Sequence, residues 1–454
     1  MERADVAIVG GGPAGMAAAH AAAEAGADAV VVEKGVPRAD REGLGPDSTD
    51  AAGMLDYWVD IMGIDPGELP EDVILQELSG ARFVGPTERC TLRDTGMDSS
   101  YPNFGFTFQR ARMDDWMRER AEASSAAYRV GTGVRRVESD TESHVLHLAD
   151  GSEIEAGRMI LADGPQRTVT MGVLDRLLPE GKKASEVLGP RRANHIAYQE
   201  HRRMPPELFE EDVITFWWGL IPGKTAYPWI FPNDDGIARI GLTMPIGMDI
   251  EAVENREAYD LLRPEDERIP TGGAYIRRLL EREFGDEYDV ETDFPLVEER
   301  GKRGGVESYP ISSTRPIDSP TDAGIAVAGG AMGTTSAFHE GGYHVAVRSG
   351  AIAGDLAARG RLDEYNEAWK AAIGDEILRN VSMADVVADY EPADWDRTFR
   401  TIGTMLEKRG GGPIDWGALS SGLGAAKFYT SYRKAKFRYR KGRYVQLSES
   451  DYRY

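Results

Sequence analysis

A glycine-rich turn between two apolar segments, at residues 10–15, constrains the fold more than any other feature. Residues 5–9 form a short apolar run that predicts a buried strand, and the alanine-rich segment 13–25 predicts a helix. Residues 29–32 predict a second strand, parallel to the first. Strand, glycine turn, helix and strand together predict a β-α-β unit that binds a dinucleotide.

The residues of the turn have separate roles in such a unit. Gly10 makes the tight turn, Gly12 lets the backbone approach the pyrophosphate, and Gly15 lets the helix pack against the strand. Pro13 and Ala14 begin the helix, whose free N–H groups and positive dipole end face the phosphates. The turn therefore predicts a phosphate-binding cradle.

The second strand of the unit ends in Glu33 and Lys34. Glu33 has the spacing at which a carboxylate accepts hydrogen bonds from the cofactor's ribose hydroxyls. The unit alone fits either FAD or a nicotinamide dinucleotide. Three later features favour FAD: Arg110 opens a helix with an Arg-x-x-apolar-Asp pattern, a strand around Val134 offers backbone contacts to adenine, and Asp163 follows a buried strand.

These features resemble the flavoproteins built like p-hydroxybenzoate hydroxylase. The resemblance implies that Arg110 contacts the cofactor; a surface ion pair is the alternative. That family's second flavin motif reads Gly-Asp-Ala, whereas here Gly329 is followed by Gly330, so glycine stands where the ribityl-binding aspartate belongs. Gly341 and Gly342 resemble the start of the family's next helix, which points at the flavin ring and stabilises its anionic reduced form.

An aromatic segment at 227–232, Tyr-Pro-Trp-Ile-Phe-Pro, lies within a region, 190–245, that predicts a largely antiparallel sheet. Side chains two apart on a strand share a face, so Tyr227, Trp229 and Phe231 are predicted to lie on one side. That face can wall an apolar tunnel for a polyprenyl chain.

The same segment, with Gly241 after it, resembles the Tyr-x-Trp-x-Phe-Pro motif of the geranylgeranyl reductases. The resemblance implies an FAD-dependent reductase that saturates isoprenoid double bonds by hydride transfer from reduced flavin, with a polyprenyl lipid or a quinone as substrate. The predicted wall comprises Trp217, Trp218, Tyr227, Trp229, Phe231 and Pro232. The alternative is an aromatic sheet core that binds no substrate.

His339 and Glu340 fall where the resemblance places a turn facing the flavin. We predict that one of them relays a proton, since histidine titrates near neutral pH; a capping pair or a surface turn is the alternative. The cysteine that the family often carries in the loop after the second strand is absent here, at 38–46. Arg41 in this loop is predicted to neutralise a lipid phosphate or the cofactor pyrophosphate.

The charge balance is strongly acidic, with a formal net charge of −23. Lysine is scarce, and this composition is typical of a halophile, which favours a haloarchaeal origin. It argues against a nucleic-acid partner, which requires a basic surface. Cys90 is the single cysteine, so neither an internal disulfide nor a four-cysteine cluster can form, and we predict no metal site. Electrons must therefore come from an external donor: a ferredoxin, a reduced nicotinamide or a reduced deazaflavin.

A basic segment at 427–443 interrupts the acidic chain with lysine and arginine interleaved with aromatic residues. It is predicted to contact an anionic membrane; a clamp onto the acidic body or an oligomer contact is the alternative. No apolar run is long enough to span a membrane. We therefore expect a cytoplasmic protein, peripheral on the inner face of the membrane.

The predicted fold class is α/β: a Rossmann-like FAD-binding domain with an inserted antiparallel β-sheet substrate domain and a helical C-terminal region. The FAD-binding domain is assigned to 1–189 and 301–360, the substrate sheet to 190–300, and the helical region to 361–454. Three other functions stay open: an electron-transfer flavoprotein like the electron-transferring-flavoprotein:quinone oxidoreductases, a flavin monooxygenase (aromatic hydroxylase) or halogenase, and a degenerate flavoprotein without activity.

Overall fold

The structure is a computed structural model that describes residues 1–36, 52–140, 143–189, 193–301, 303–408 and 423–454. Arg41 and its loop lie outside these residues. The strands are, in chain order, β1 (Glu2–Val9), β2 (Ala29–Val32), β3 (Gly53–Leu55), β4 (Ile74–Leu78), β5 (Gly80–Val84), β6 (Arg89–Leu92), β7 (Gly105–Phe108), β8 (Ala127–Arg129), β9 (Val134–Ser139), β10 (His144–Leu148), β11 (Glu153–Leu161), β12 (His195–Arg203), β13 (Val213–Trp217), β14 (Tyr227–Pro232), β15 (Ile237–Pro245), β16 (Val306–Ile311) and β17 (Ile325–Val327). The helices are α1 (Pro13–Glu24), α2 (Asp56–Met62), α3 (Arg110–Ala123), α4 (Thr170–Leu177), α5 (Ala184–Val187), α6 (Gly272–Phe284), α7 (Val290–Asp293), α8 (Gly329–Met332), α9 (Tyr343–Ala358), α10 (Tyr365–Val387), α11 (Pro392–Lys408) and α12 (Leu423–Tyr439).

The first sheet carries the glycine turn and has the order β8-β2-β1-β11-β10-β9, with β17 paired to β11. Strand β1 runs parallel to both β2 and β11, and β17 runs parallel to β11. The inner half of β1 is buried, as its continuous apolar run requires when a parallel strand is covered on both faces. The turn at 10–15 follows directly after β1 and therefore lies at the carboxyl end of this strand.

Helices α1 and α9 pack against each other with their backbones in close approach. A Cβ atom on Gly350 would lie 2.0 Å from the carbonyl oxygen of Ala14, and one on Gly354 would lie 2.0 Å from that of Ala18. Glycine at these two positions is what lets the helices approach so closely. The contact holds the start of α1, and with it the glycine turn, against the middle of α9.

The second sheet has the order β16-β12-β15-β14-β13-β5-β6 and is antiparallel except where β13 pairs with β5. It draws strands from 80–92 and 306–311, which the sequence analysis had assigned to the FAD-binding domain. A third, small sheet has the order β3-β7-β4. The predicted α/β fold class is confirmed, while the domain ranges stay a prediction.

The C-terminal region is helical, with α12 packed against α10 and α11. Beyond α12, Leu447 and Tyr452 join the hydrophobic core of the first sheet. Among the helices of the described ranges, none combines the length and the apolar character needed to pass through a bilayer.

Candidate functional site

A cavity of about 1480 Å³ extends from the glycine turn to the second sheet and on to the C-terminal helices. Pockets for small molecules usually measure roughly 300–1,000 Å³, so this cavity has room for more than one ordinary ligand. Gly12 of the turn and Trp229 of β14 both line it, as do Ile402 on α11 and Phe428 on α12. The turn and the aromatic segment therefore face one shared space.

The glycine turn meets the steric demands of a dinucleotide cradle. Gly10 has φ +103°, and a Cβ there would lie 2.3 Å from the carbonyl oxygen of Ala162. A Cβ on Gly15 would lie 1.9 Å from the carbonyl oxygen of Gly10, so Gly15 packs α1 onto the turn and does not line the cavity. A Cβ on Gly12 would meet no atom of the described residues within 4 Å, its two chain neighbours aside. Gly12 thus borders the space that a pyrophosphate needs.

The first turn of α1 adjoins the same space, because Gly12, Pro13 and Ala14 all line the cavity. Gly12 is the N-cap residue and has no side chain to cap the helix, and Pro13 occupies the first helical position. The following amides thus keep hydrogen-bonding capacity for an anion.

Glu33 lines the cavity at the end of β2, together with Lys34 and Val134. Its carboxylate accepts hydrogen bonds from the backbone N–H groups of Gly11 and Gly35, each at 2.6 Å. These bonds fix the carboxylate beside the glycine turn. Its second lone pairs stay available to hydroxyl donors.

Arg110 begins α3 and lines the cavity with its side chain 11% exposed. Its Nε lies 2.9 Å from Oδ1 of Asp114, and its guanidinium lies over the ring of Tyr343 at 4.7 Å from the centroid. The ion pair predicted as the alternative is present, but it is inside the cavity wall and not at the surface. Arg110 therefore combines that pair with access to the cavity.

Asp163 also lines the cavity, but its carboxylate is engaged with α4. It accepts hydrogen bonds from the N–H groups of Val169, at 2.6 Å, and Thr170, at 3.1 Å, and from the Thr170 hydroxyl. Asp163 thus anchors the start of α4, and contact with the cofactor stays a prediction.

Four glycines predicted near the flavin divide into two kinds. Gly330, Gly341 and Gly342 line the cavity, with Gly342 as the N-cap of α9. Gly329 does not line it: at φ +60°, a Cβ there would lie 2.7 Å from the Cβ of Ala14. Gly329 supports α1 from behind, and Gly330 offers backbone groups only, without the carboxylate of the related flavin motif.

The aromatic face predicted on β14 is present, since Tyr227, Trp229 and Phe231 are buried and all line the cavity. Trp218 stacks on Tyr227 with ring centroids 4.3 Å apart. Gly241 on β15 lies opposite Trp229, and a Cβ there would come within 2.6 Å of the indole. Glycine at this position lets the indole lie flat across the neighbouring strand.

Two residues of the predicted wall lie elsewhere. Trp217 packs into the core behind the second sheet with Leu220 and Ile240, because adjacent residues of a strand point to opposite faces. Pro232 does not line the cavity; its carbonyl accepts a hydrogen bond from the Thr107 hydroxyl at 2.8 Å. The placement of Trp217 and Pro232 on the cavity wall was therefore wrong.

The sequence analysis missed several aromatic residues of this wall. Phe83 comes from β5, Phe216 from β13, Phe338 from the turn before α9 and Trp395 from α11. Phe216 could have been found by extending the period of two back from Trp218. The other three come from segments that are distant from β14 in the chain, so no local pattern in the sequence predicts that they reach the wall.

Glu340 lines the cavity and is buried, in the left-handed region at φ +58°. One carboxyl oxygen accepts a hydrogen bond from the Thr225 hydroxyl at 2.8 Å, and the other accepts one from the Thr243 hydroxyl. Nε2 of His195 lies 3.5 Å from the first of these oxygens. Desolvation raises the pKa of Glu340 to about 8, although both threonine hydrogen bonds oppose the shift. The carboxyl is therefore protonated at neutral pH.

His339 lies next to Glu340 in sequence and also lines the cavity. It stacks on Trp58 at 5.0 Å, and its Nδ1 accepts a hydrogen bond from the Gly341 N–H at 3.2 Å. Burial lowers the pKa of His339 to about 3, so the imidazole is neutral at neutral pH. His344, which the sequence analysis did not single out, stacks on the same indole at 4.2 Å.

Cys90 is buried on β6 and does not line the cavity. Burial raises the pKa of its thiol to about 12, which disfavours the thiolate. This environment suits a packing residue.

Comparison with known proteins supports the reading of the cradle. The family described as "FAD binding domain" matches residues 5–66. A digeranylgeranylglycerophospholipid reductase 2 of Methanopyrus kandleri is 26% identical over 429 residues, which cover 88% of this chain and 92% of that protein. A menaquinone reductase of Mycolicibacterium smegmatis is 27% identical over 399 residues, which cover 84% and 83%.

Among solved structures, a geranylgeranyl bacteriochlorophyll reductase-like protein of Thermoplasma acidophilum superimposes with a TM-score of 0.67. The identity is 19%, and the match covers 97% of each chain. The prediction of FAD as cofactor is confirmed, and so are the predicted enzyme class and the predicted resemblance.

Proposed function

We propose that this FAD-dependent oxidoreductase, a relative of the geranylgeranyl reductases, saturates double bonds in isoprenoid chains. The observation that carries the proposal is the single cavity that joins the dinucleotide cradle to the aromatic face of β14. A substrate lying on that face has direct access to whatever the cradle holds. The two relatives are named for a digeranylgeranylglycerophospholipid and for menaquinone, and both molecules include such chains.

The cofactor side of the cavity is assigned to the residues that border the glycine turn. Gly12 and Ala14 would hold the pyrophosphate, Glu33 the ribose, and Gly330 and Gly342 the flavin end. Bound and reduced FAD supplies a hydride for the double bond. Backbone groups near Gly330 take the place of a side-chain carboxylate on the ribityl chain.

The substrate side suits a long apolar molecule. Rings from the second sheet form one wall, and the cavity continues to Ile402 on α11 and Tyr432 on α12. Flat aromatic rings along this wall favour contact with successive isoprene units over a compact aromatic substrate. The same rings exclude water from the double bond.

A turnover assay tests the proposal most directly. Purified protein loaded with FAD and reduced by dithionite without oxygen is offered digeranylgeranylglycerophospholipid in one reaction and menaquinone in another. We expect mass spectrometry to find products heavier by two hydrogens for each saturated bond. If every double bond of both substrates remained, the proposal would be contradicted. Reduction of the menaquinone ring alone would favour an electron-transfer function instead.

The proposed function also suggests an electron donor and a cellular location for the protein. We infer that a ferredoxin or a reduced nicotinamide supplies the electrons and that the protein works on the inner face of the membrane, where its substrate lies. Within residues 428–443, Phe437 is 57% exposed, and the guanidinium of Arg440 lies over its ring at 3.7 Å. Arg438 pairs instead with Asp385 on α10, at 2.9 Å. The exposed part of the segment suits an anionic bilayer surface.

The acidic body suits a salt-rich cytoplasm, which we infer is the protein's environment. The net charge of −23 keeps such a surface hydrated where salt screens ordinary charge repulsion.

A further inference from the structure

Saturating a double bond requires a proton as well as a hydride, and the cavity wall offers one carboxyl group in an unusual setting. Glu340 is buried, lines the cavity and adopts a left-handed backbone conformation that residues with a Cβ rarely take. Strained backbone of this kind persists where the surrounding structure enforces it, often at functional sites. Thr225 and Thr243 hold the side chain in place by binding both carboxyl oxygens.

We propose that Glu340 donates the proton that completes reduction of the double bond, and that His195 returns a proton to it between turnovers. This inference rests on the proposed function. The O–H bond of Glu340 breaks as a C–H bond forms at one alkene carbon, and the other carbon takes the hydride and its electron pair from reduced FAD. His195 then takes a proton from solvent on one ring nitrogen and gives the proton on its other ring nitrogen to the Glu340 carboxylate, so that the imidazole ends neutral.

The groups facing Glu340 fit the donor role. Thr225 precedes β14, Thr243 lies on β15 and His195 begins β12, so three segments of the second sheet meet at the carboxyl. Tyr227 is engaged elsewhere, since its hydroxyl donates to the carbonyl of His339. No cation neutralises the carboxyl among the described contacts, and desolvation keeps it protonated at neutral pH.

His195 is placed to recharge the acid. Its side chain is 10% exposed, against 2% for Glu340, so it is the more accessible of the two to solvent. Neither ring nitrogen has a hydrogen-bond partner among the described residues, and burial lowers the pKa of the ring to about 4. A neutral imidazole beside the carboxyl can accept and pass on a proton without forming a stable ion pair.

Glu340→Gln tests the donor, because glutamine keeps the shape of the protonated acid and loses its acidity. In the holoenzyme we expect turnover of the digeranylgeranyl lipid to fall roughly 100-fold or more, with FAD still bound. Glu307→Gln is the matched control: Glu307 is a buried carboxylate on β16 that accepts a hydrogen bond from Gln199 and does not line the cavity. Equal turnover in Glu340→Gln and wild type would overturn the proposal.

Infrared spectra of the holoenzyme give a readout that does not depend on turnover. The C=O band of a protonated carboxyl should disappear as the pH is raised through about 8 and be missing from Glu340→Gln. Absence of this band from the wild type at neutral pH would refute the donor role. Failure of the wild type to reduce any substrate would instead count against the proposed function, since the band would still report on Glu340.

Thr243→Val covers the case in which Glu340→Gln does not fold. Removing a hydroxyl that donates to the carboxylate should raise the pKa of Glu340 further, so the fall of turnover with rising pH should move to higher pH. A merely structural carboxyl would leave the pH profile in place.

His195→Ala tests the relay. We expect turnover to fall and free imidazole in the buffer to restore it, because the small molecule can occupy the space of the missing ring. Full turnover without imidazole, or lost turnover that imidazole does not restore, would overturn the relay.

Discussion

The packing of the chain does not require glycine at position 12, because a methyl group there would touch no atom of the described residues apart from its chain neighbours. The φ of −81° at Gly12 suits any residue. We therefore predict that Gly12→Ala leaves the thermal stability of the FAD-free protein unchanged and weakens FAD binding at least tenfold, about 1.4 kcal/mol. Calorimetry and fluorescence titration with FAD measure the two quantities.

Substitutions at two other glycines serve as controls for this prediction. Gly172 in α4 is equally open and lies away from the cavity, so Gly172→Ala should change neither quantity for the worse. Gly15→Ala should damage both, since its methyl group would collide with the carbonyl oxygen of Gly10. Unchanged FAD affinity in Gly12→Ala would show that the pyrophosphate lies elsewhere.

Glu340 makes stability depend on pH in a direction opposite to that of most carboxylates. Its pKa is about 8 in the folded chain against an ordinary value of 4.5, so the folded state holds a proton that the unfolded state has released. Its contribution to stability is full below pH 4.5 and is lost as the pH rises through about 8. As the pH rises across that interval, the unfolding free energy of Glu340→Gln should therefore increase relative to that of the wild type by roughly 1.4 kcal/mol per pH unit.

Urea unfolding of the FAD-free proteins at several pH values measures this difference. Glu307→Gln provides the comparison, as a buried carboxylate in another setting. Parallel pH dependences for wild type and Glu340→Gln would mean that Glu340 is ionised in the folded chain.

At the scale of elements, β13 presents successive residues to two different interiors. Trp217 faces the core behind the second sheet, and Trp218, which follows the strand, faces the cavity. We predict that Trp218→Phe raises the KM for the lipid several-fold with little loss of stability. Trp217→Phe should instead lower the unfolding free energy by about 1–3 kcal/mol and leave KM near the wild-type value. Steady-state kinetics measure KM, and urea unfolding measures the stability of the two variants. If Trp217→Phe raised KM and Trp218→Phe lowered the stability, the assignment of the two side chains to their faces would be reversed.

Local patterns in the sequence predict those elements that depend on neighbours in the chain. The β-α-β unit and the shared face of Tyr227, Trp229 and Phe231 follow from periodicity alone, and both are present. The placement of Trp217 failed because composition, not alternation, was used to assign it. Strand β5 could not be foreseen in the second sheet, since its partner β13 lies far along the chain.

The setting of Glu340 shows the same limit at the candidate site. Its sequence position suggested a role near the flavin, but its raised pKa comes from burial, opposed by hydrogen bonds from Thr225 and Thr243, which the fold brings from distant segments. His339, its neighbour, carries the more familiar titrating group and is held neutral by burial. Burial, which sequence cannot measure, reverses the expected roles of the two.

For the whole molecule, the basic segment at 427–443 predicts binding to anionic membranes. We expect the protein to sediment with vesicles that contain phosphatidylglycerol and not with phosphatidylcholine vesicles, and Phe437→Ser to weaken the binding several-fold. Added salt should reduce the charge contribution and leave that of the aromatic ring. Ile246→Ser, which removes another exposed apolar residue, at 54% exposure, is the control. Equal losses in both variants would mean that the segment is not the contact.

The order of strands also decides when the molecule can be assembled. The second sheet is completed by β16, which ends at residue 311, and the first sheet by β17, at residues 325–327. A ribosome must therefore release most of the chain before both sheets are complete, and the sheet that carries the cradle is completed shortly after the sheet that carries the aromatic wall. The nascent protein is thus expected to acquire its cofactor late in synthesis, together with its substrate chamber.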